Sequence, residues 1–412
     1  MQINRHRLSN GLTIVHNLFP GTEMVAVNIL YKVGSRNEDA AHTGFAHLFE
    51  HLMFGGSQNV PNFDTPLQLA SGDNNAYTTP DYTNYYDTVP AANIETCFWL
   101  ESDRMRSLAF TPESLQTQQG VVMEEFRKNY INVPYGDLMH LSCGLAYKHH
   151  PYRWPTIGLK LAHIEQATLQ QVKDFFFRYY NPDNAILSVV GNITFEETVR
   201  LSEKWFGDIH RTTPPQAPIP PEPPQPRQRR RTVRRNVPQD LLFMSFHLPH
   251  RLTEAYHACD MITDVLANGP SSRLVQRLSM DRKVFSSVYA QISEHIDSGL
   301  LDIFGFLADG VRMEDAEAAI WQELELLKRD DVDQRELEAV KNKYITNYEI
   351  QNCSYLKRAQ SLAYFEMLGD PDYMHRDVAT YSGITAKTFG RVCRQILTKK
   401  NSNVLYYMKS EG

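Results

Sequence analysis

Three ionisable residues stand at metal-ligand spacing in the first quarter of the chain. His47, Glu50 and His51 belong to the segment GFAHLFEHLMFGGS, which reads as a helix. Residues four apart share one helix face, so the two imidazoles can bind one metal ion. Glu50 lies on the same face and could act on a water molecule as a general base. The structural alternative is a helix in which both histidines are hydrogen-bonded and no metal is bound.

A catalytic zinc site needs a third protein ligand from elsewhere in the fold, with a fourth position open to water. Residues 113–131, ESLQTQQGVVMEEFRKNYI, predict a long helix with Glu124 and Glu125 side by side. Neighbouring helical positions differ in direction by roughly 100°, so only one of these carboxylates can face a metal fully. The residues alone leave open which one it is, and a solvated acidic pair is the alternative.

The elements that must position these residues recur in the second half of the chain. Residues 34–57 align without a gap with residues 249–272, and each segment follows an apolar strand and reads as a helix. In the second copy, the three positions of the metal motif hold apolar residues: Ile262, Val265 and Leu266. We expect an α+β fold of two structurally similar domains, each a mostly antiparallel sheet packed with helices.

A proline-rich stretch separates the two halves. Residues 214–226 hold eight of the 22 prolines, a composition that favours extended polyproline II, and six arginines follow by residue 235. The predicted divisions are a zinc-bearing N-terminal domain at 1–212, a Pro/Arg-rich linker at 213–231 and a metal-free homologous domain at 232–412.

Composition excludes several classes of protein. The 412 residues are 42% hydrophobic and 22% charged, without an apolar run of about 18 residues, so we expect no membrane partner. A net charge of −6 and an arginine run without interleaved aromatic residues argue against nucleic acid as a partner. Five scattered cysteines without a CxxC pair indicate a reducing compartment, and the chain start lacks the layout of a secretory signal. We therefore expect a cytoplasmic protein.

Several separated blocks of the sequence resemble the pitrilysin/insulinase family of zinc peptidases. These are called inverted zincins because HxxEH reverses the HExxH order. The blocks are GFAHLFEHLMFGGS, NNAYTTPDYTNYYDTVP, VVMEEFR, NGLTIV, HPYRWPTIG, YYNPDNA and SSRL. They follow the family's order over nearly the whole chain, and half-size chains of the mitochondrial-processing-peptidase branch are the most similar.

The resemblance implies roles for individual residues and a zinc (Zn²⁺) cofactor. The family's metal ligands match His47, His51 and Glu125. Its general base matches Glu50. Its substrate-pairing segment, of the form N-A-Y/F-T, matches Asn75, Ala76, Tyr77 and Thr78. The resemblance therefore implies a zinc-dependent endopeptidase that cleaves unfolded peptides through a metal-activated water, with residues 1–212 as its peptidase domain.

The chain departs from the family pattern at two places. Where the family usually has a further glutamate implicated in activity, this chain has Gln118. In the C-terminal domain, the places of an Arg and a Tyr that hold the substrate carbonyl fall at Ser279 and Ser286. Arg282 and Tyr289 keep the same spacing of seven, but they match only after a three-residue shift.

The resemblance also implies a partner chain. Two half-size chains would pair as a homodimer, or as a heterodimer with a related chain, around a cavity that admits peptide substrates. The departures from the pattern favour an alternative, a catalytically weak or inactive subunit that binds zinc and peptide and needs a partner for activity. Zinc-dependent hydrolysis of a non-peptide substrate fits the metal motif equally well.

Overall fold

The computed structural model describes residues 2–216, 218–329 and 332–410, and the chain divides into two compact units. Unit 1 is formed by Met1–Arg127, Trp154–Ile219 and Tyr348–Arg376. Unit 2 is formed by Lys128–Arg153, Pro220–Asn347 and Asp377–Gly412. Each unit is therefore assembled from segments that are far apart in the sequence.

The sequence domains 1–212 and 232–412, with their linker 213–231, stay a prediction. Residues 1, 217, 330, 331, 411 and 412, which fall within these ranges, lie outside the described residues. The compact units interleave with the predicted ranges in the sequence, because residues 128–153 belong to unit 2 and residues 348–376 belong to unit 1.

The described residues form runs of strands and runs of helices. The strands are β1 (Asn4–Arg7), β2 (Thr13–Leu18), β3 (Met24–Tyr31), β4 (Asp73–Thr78), β5 (Thr83–Pro90), β6 (Ala185–Gly191), β7 (Arg229–Arg235), β8 (Leu241–His247), β9 (Phe285–Ile292), β10 (Leu300–Leu307) and β11 (Ser402–Lys409). The helices are α1 (Phe45–Leu52), α2 (Asp64–Leu69), α3 (Ile94–Ser107), α4 (Pro112–Phe126), α5 (Leu138–Ala146), α6 (Leu161–Glu165), α7 (Leu169–Tyr179), α8 (Phe195–Phe206), α9 (Glu254–Ala267), α10 (Met313–Arg329), α11 (Gln334–Asn352), α12 (Tyr355–Met367), α13 (Tyr373–Gly383) and α14 (Ala386–Ile396). Within these described ranges, no helix combines the length and the apolar character needed to cross a membrane.

The sheet of unit 1 has the strand order β1-β2-β6-β3-β5-β4. Strands β2 and β6 are parallel, and the other neighbouring strands described in this sheet are antiparallel. Strand β3 is buried on both faces: Ala26 and Leu30 pack with Leu362 of α12, while Tyr31 contacts Tyr180 on the other face. Burial on both faces explains why the sequence of β3 is almost continuously apolar.

The sheet of unit 2 has the strand order β7-β11-β8-β10-β9, with β7 and β11 parallel. Leu242 and Met244 of β8 pack into a core shared with α9, α10 and α14. Leu241 and Phe243 alternate to the other face and pack with Leu141 of α5. The two sheets confirm the predicted α+β class of two similar domains, each a mostly antiparallel sheet packed with helices.

Helix α9 buries the apolar positions that the sequence alignment paired with the metal motif. Its residues Ile262, Val265 and Leu266 are almost completely removed from solvent and belong to the core of unit 2. The second copy of the strand–helix pair therefore uses this helix face for packing.

The arginine run lies mainly in strand β7 of unit 2. Three of its side chains form ion pairs within this unit: Arg229 with Glu222, Arg230 with Glu317 and Arg235 with Asp137. These carboxylates offset part of the positive charge of the run, which weakens its attraction for phosphate groups.

A buried polar network of unit 2 is centred on Asp377. The Asp377 carboxylate accepts two hydrogen bonds from Arg251 (3.1 and 2.9 Å) and one from the Tyr344 hydroxyl (2.8 Å). His257 Nε2 lies 2.6 Å from Asp377 Oδ1. Burial raises the pKa of Asp377, but the hydrogen bonds from His257 and Arg251 outweigh it and hold the pKa well below its ordinary value. The carboxylate is therefore charged and paired in the folded chain.

We expect Asp377→Asn to lower the free energy of unfolding by about 3 kcal/mol at neutral pH, because it leaves Arg251 without its buried counter-charge. Since the native pKa is depressed, this stabilisation is complete above pH 3.8 and is lost as the pH falls below it. Urea unfolding at several pH values measures both effects. Asp315→Asn, at an exposed ion pair of the same unit, is the control and should leave the unfolding midpoint unchanged. An unchanged midpoint for Asp377→Asn would refute the role of the network.

Candidate metal centre

Helix α1 presents the three residues of the metal motif on one side and packs its other side into unit 1. The rings of His47 and His51 lie 4.9 Å apart between centroids and are nearly perpendicular. On the opposite side of the helix, Phe49 stacks on Phe175 and Tyr180 at 5.0 and 5.1 Å. Burial of this aromatic ring fixes the rotation of the helix about its axis, and with it the direction of both imidazoles.

Helix α4 brings Glu125 to the two histidines. Its carboxylate Oε2 lies 3.6 Å from His47 Nε2 and 3.4 Å from His51 Nε2. The Glu124 side chain is 74% exposed and pairs instead with Arg127, at the start of the π-helical turn that follows α4. The structure thus brings the second of the two neighbouring glutamates to the histidines and leaves the first at the surface.

The donor atoms of this cluster suit a divalent metal. One nitrogen from each imidazole and one carboxylate oxygen lie within 4.8 Å of one another. Burial, reinforced by the nearby His51, lowers the pKa of His47 to about 4, so its ring is neutral and has a lone pair to offer at neutral pH. Two imidazoles and a carboxylate are a known ligand set of catalytic zinc sites, so these residues fit zinc.

Glu50 lies beside the cluster and is held by strand β4. Its Oε2 accepts a hydrogen bond of 2.6 Å from the Thr78 hydroxyl. Burial raises the pKa of Glu50 above its ordinary value, although the hydrogen bond from Thr78 works against this rise. A carboxylate with a raised pKa and a fixed orientation is suited to accept and return a proton near neutral pH.

Asn75 and Ala76 lie in β4, the end strand of the sheet in unit 1, whereas the ligand cluster is formed by residues of α1 and α4. Ala76 pairs in register with Tyr85 of β5, and its N–H donates to Asn75 Oδ1 at 2.8 Å. Tyr77 precedes Thr78 and packs against Tyr82. The predicted substrate-pairing segment thus lies on the same strand as the hydroxyl that holds Glu50.

Two residues to which the sequence assigned no role hold the start of α1. Glu38 accepts hydrogen bonds from the N–H groups of Gly44 (2.9 Å) and Ala46 (2.8 Å). Arg36 pairs with the buried Asp81 at 2.8 Å, which ties the loop before α1 to the β4–β5 hairpin. An acidic residue shortly before a helix is a capping signal. Glu38 lies six residues before Gly44, so the sequence alone did not indicate this contact.

The residues at which the chain departs from the family pattern lie in different parts of the structure. Gln118 lies seven residues before Glu125 on α4 and is half-buried. Within unit 2, Ser286 donates to the Phe306 carbonyl at 3.2 Å. Arg282 donates to Gln322 of α10 at 3.2 Å, whereas Tyr289 stacks on Phe304 of the neighbouring strand at 5.2 Å. Arg282 and Tyr289 thus contact different neighbours within unit 2.

Known proteins define the family. The family model described as Insulinase (Peptidase family M16) matches residues 14–135, and the model described as Peptidase M16 inactive domain matches residues 166–344. The protein named Zinc protease PqqE of Helicobacter pylori is 31% identical over 343 residues, which cover 81% of this chain and 76% of that protein. The chain therefore belongs to the pitrilysin/insulinase family of peptidases.

Solved structures agree in fold. The crystal structure of a protease from Helicobacter pylori is similar with a TM-score of 0.92 and 26% identity, covering 98% of this chain and 99% of that one. The structure of pitrilysin is similar with a TM-score of 0.76 and 18% identity, and the match covers 99% of this chain but 45% of pitrilysin. The family membership and the half-size length predicted from the sequence are confirmed.

The two neighbouring glutamates of α4 offer a matched test of the metal centre. We expect Glu125→Gln to weaken zinc binding about 100-fold or more, because it removes a charged ligand. Glu124→Gln makes the same chemical change one residue earlier and should leave zinc affinity unchanged, since that side chain is exposed and pairs with Arg127. Competition with a chromogenic chelator measures both affinities. Equal losses in the two variants would contradict the assignment of Glu125.

Proposed function

We propose that this chain is a zinc-dependent endopeptidase that cleaves unfolded peptides. The observation that carries the proposal is the approach of the Glu125 carboxylate to both histidines of α1, with Glu50 beside them on the same helix. Relatives named zinc proteases support the same reaction class.

His47, His51 and Glu125 would hold the zinc ion through two nitrogens and one carboxylate oxygen. When bound, zinc supplies Lewis acidity, which activates a water molecule and polarises the peptide carbonyl. The buried position of His47 keeps its ring neutral, and Glu125 balances part of the charge that a divalent ion brings into unit 1.

Glu50 would move the protons of the reaction. As a general base it takes a proton from the attacking water, and as a general acid it delivers that proton to the leaving amine. The Thr78 hydroxyl donates to one oxygen of Glu50 and so fixes the carboxylate plane. The raised pKa of Glu50 brings its proton affinity closer to working pH, which favours both transfers.

Strand β4 would bind the substrate backbone. As the end strand of its sheet it can accept a further strand, and a peptide bound this way is recognised mainly through main-chain hydrogen bonds. The Ala76 N–H now donates to the side chain of Asn75, so rotation of that side chain would free a donor for the peptide. Recognition through the backbone requires an extended substrate and supports broad sequence preference.

A second candidate function is a peptide-binding subunit that needs a partner chain for activity. It is favoured by Gln118 and by the two serines, Ser279 and Ser286, that stand where the family has its substrate-holding Arg and Tyr. Under this alternative the zinc site is intact, and the partner contributes the missing groups.

We further propose that the chain pairs with a second half-size chain, either a copy of itself or a related chain. The support is its length, which matches 45% of pitrilysin with a shared fold. A cytoplasmic location completes the proposal, and the five free cysteines, four of them buried, suit a reducing compartment.

The proposed base is tested by Glu50→Gln. We expect this variant to keep about one zinc ion per chain and to lose about 10²–10⁴-fold in kcat on a quenched fluorescent peptide, because glutamine cannot accept the proton. Zinc content and turnover are measured on the same sample, with and without a chelator. Glu165→Gln, an exposed change on α6, is the control and should retain full turnover.

The same measurement separates the two candidate functions. Chelator-sensitive cleavage by the wild-type chain alone supports a self-sufficient peptidase. Stoichiometric zinc without cleavage selects the subunit that needs a partner. Full turnover by Glu50→Gln would remove Glu50 from the mechanism.

A further inference from the structure

Helix α1 begins at a glycine that cannot cap it. Gly44 has φ +92°, and an added Cβ would come within 2.6 Å of Ile164 Cδ1 and 2.7 Å of the Ile157 carbonyl oxygen. A larger residue is therefore excluded, and with it any capping side chain at this position. The helix has eight residues, which is too short to be stable by itself in water. Its first-turn N–H groups need acceptors from elsewhere in the fold.

Glu38 supplies those acceptors from the loop before the helix. Its Oε2 accepts from the Gly44 N–H and its Oε1 from the Ala46 N–H, at 2.9 and 2.8 Å. The side chain is buried, and burial raises its pKa to about 8, against the effect of these hydrogen bonds. Both oxygens can accept in either protonation state, so the contact does not require Glu38 to be charged.

We propose that Glu38 is a positioning residue that holds α1 with His47 and His51 facing Glu125 before any metal binds. The inference rests on the proposed metal centre and adds to it the residue that prepares the site. The bonded amides lie one and three residues before His47, so a change of helix orientation at this point moves both imidazoles. Because the Glu38 contact already orders the helix, zinc binding does not have to supply the free energy for that ordering. Loss of the contact therefore lowers the apparent metal affinity.

Glu38→Gln is a sharp test because it keeps the size of the side chain and removes one acceptor. The new NH₂ group faces a backbone N–H, and the two donors repel each other. In the metal-free protein, we expect the amides of residues 44–52 to exchange with solvent about tenfold faster, with strands β3 and β6 unchanged. Hydrogen exchange with mass spectrometry measures this without relying on zinc or on activity.

Zinc affinity is the second readout. Competition of Zn²⁺ alone with a chelator should show about tenfold weaker binding by Glu38→Gln, the size of effect that residues supporting metal ligands usually have. Glu366→Gln is the matched control, because Glu366 is also a buried carboxylate of unit 1. It pairs with Arg5 and lies on α12, which packs on the face of the sheet opposite to the one that contacts Tyr180. We expect this control to bind zinc like the wild type. Glu38→Asp keeps both acceptor oxygens on a shorter side chain. Its zinc affinity should lie between the affinities of Glu38→Gln and the wild type.

The outcomes separate this inference from the proposed function. Wild-type zinc binding without peptide cleavage would refute the self-sufficient peptidase, select the subunit that needs a partner, and leave the role of Glu38 intact. Unchanged exchange in residues 44–52 of a folded Glu38→Gln variant would overturn the role of Glu38 even if the enzyme is active. Faster exchange spread over β3 and β6 in both Glu38 variants would also overturn it, since Glu38 would then support the whole unit and not α1 in particular.

Discussion

The burial of Phe49 against Phe175 and Tyr180 is the contact on which the candidate site depends. An eight-residue helix has little stability of its own, so its rotation is set by the side that it buries. With Phe49 packed inward, His47 and His51 turn towards α4, where the Glu125 carboxylate meets both rings. A different rotation would place the imidazoles in the core, where neither a metal nor water could satisfy them.

Three carboxylates around α1 illustrate how surroundings separate chemically identical groups. Glu38 is buried against backbone N–H groups and serves the helix start. Glu50 is half-buried, and burial raises its pKa against the effect of the hydrogen bond from the Thr78 hydroxyl, which suits it to exchange a proton in the proposed reaction. Glu125 is part-exposed and faces both imidazoles. Differences in burial and in hydrogen-bond donors therefore distinguish the structural, basic and ligand roles that we propose.

The same strand–helix arrangement occurs in both units but has a different role in each. In unit 1 the loop before the helix is tied down by Arg36 and Asp81, and in unit 2 the aligned Arg251 binds Asp377. The buried aspartates come from a hairpin in one unit and from a helix in the other. Once anchored, α9 buries its aligned face as ordinary core, whereas α1 exposes ionisable groups. Metal chemistry is thus an addition to a face that is otherwise built for packing.

Local patterns in the sequence determined much of this protein. The shared helix face of His47, Glu50 and His51 follows from helix geometry, because it depends on residues about one turn apart. Thr194, a residue type that favours the N-cap position, caps α8 through an equally local contact. The apolar strands and the helix after each strand were predictable for the same reason. The ion pairs of the arginine run could not be predicted from local sequence, since the partners Glu317 and Asp137 are about 90 residues away along the chain.

Tertiary structure alone decided how the site is assembled. From residue types, Glu124 and Glu125 were equivalent, and resemblance to a family was needed to prefer one of them. Their directions differ because Phe126 and Val122 are buried, which turns Glu124 to solvent and Glu125 towards α1. Thr78 and Glu38 likewise gained their roles from contacts across the fold. Such contacts join residues that are neighbours in space but not along the chain, and no local periodicity records them.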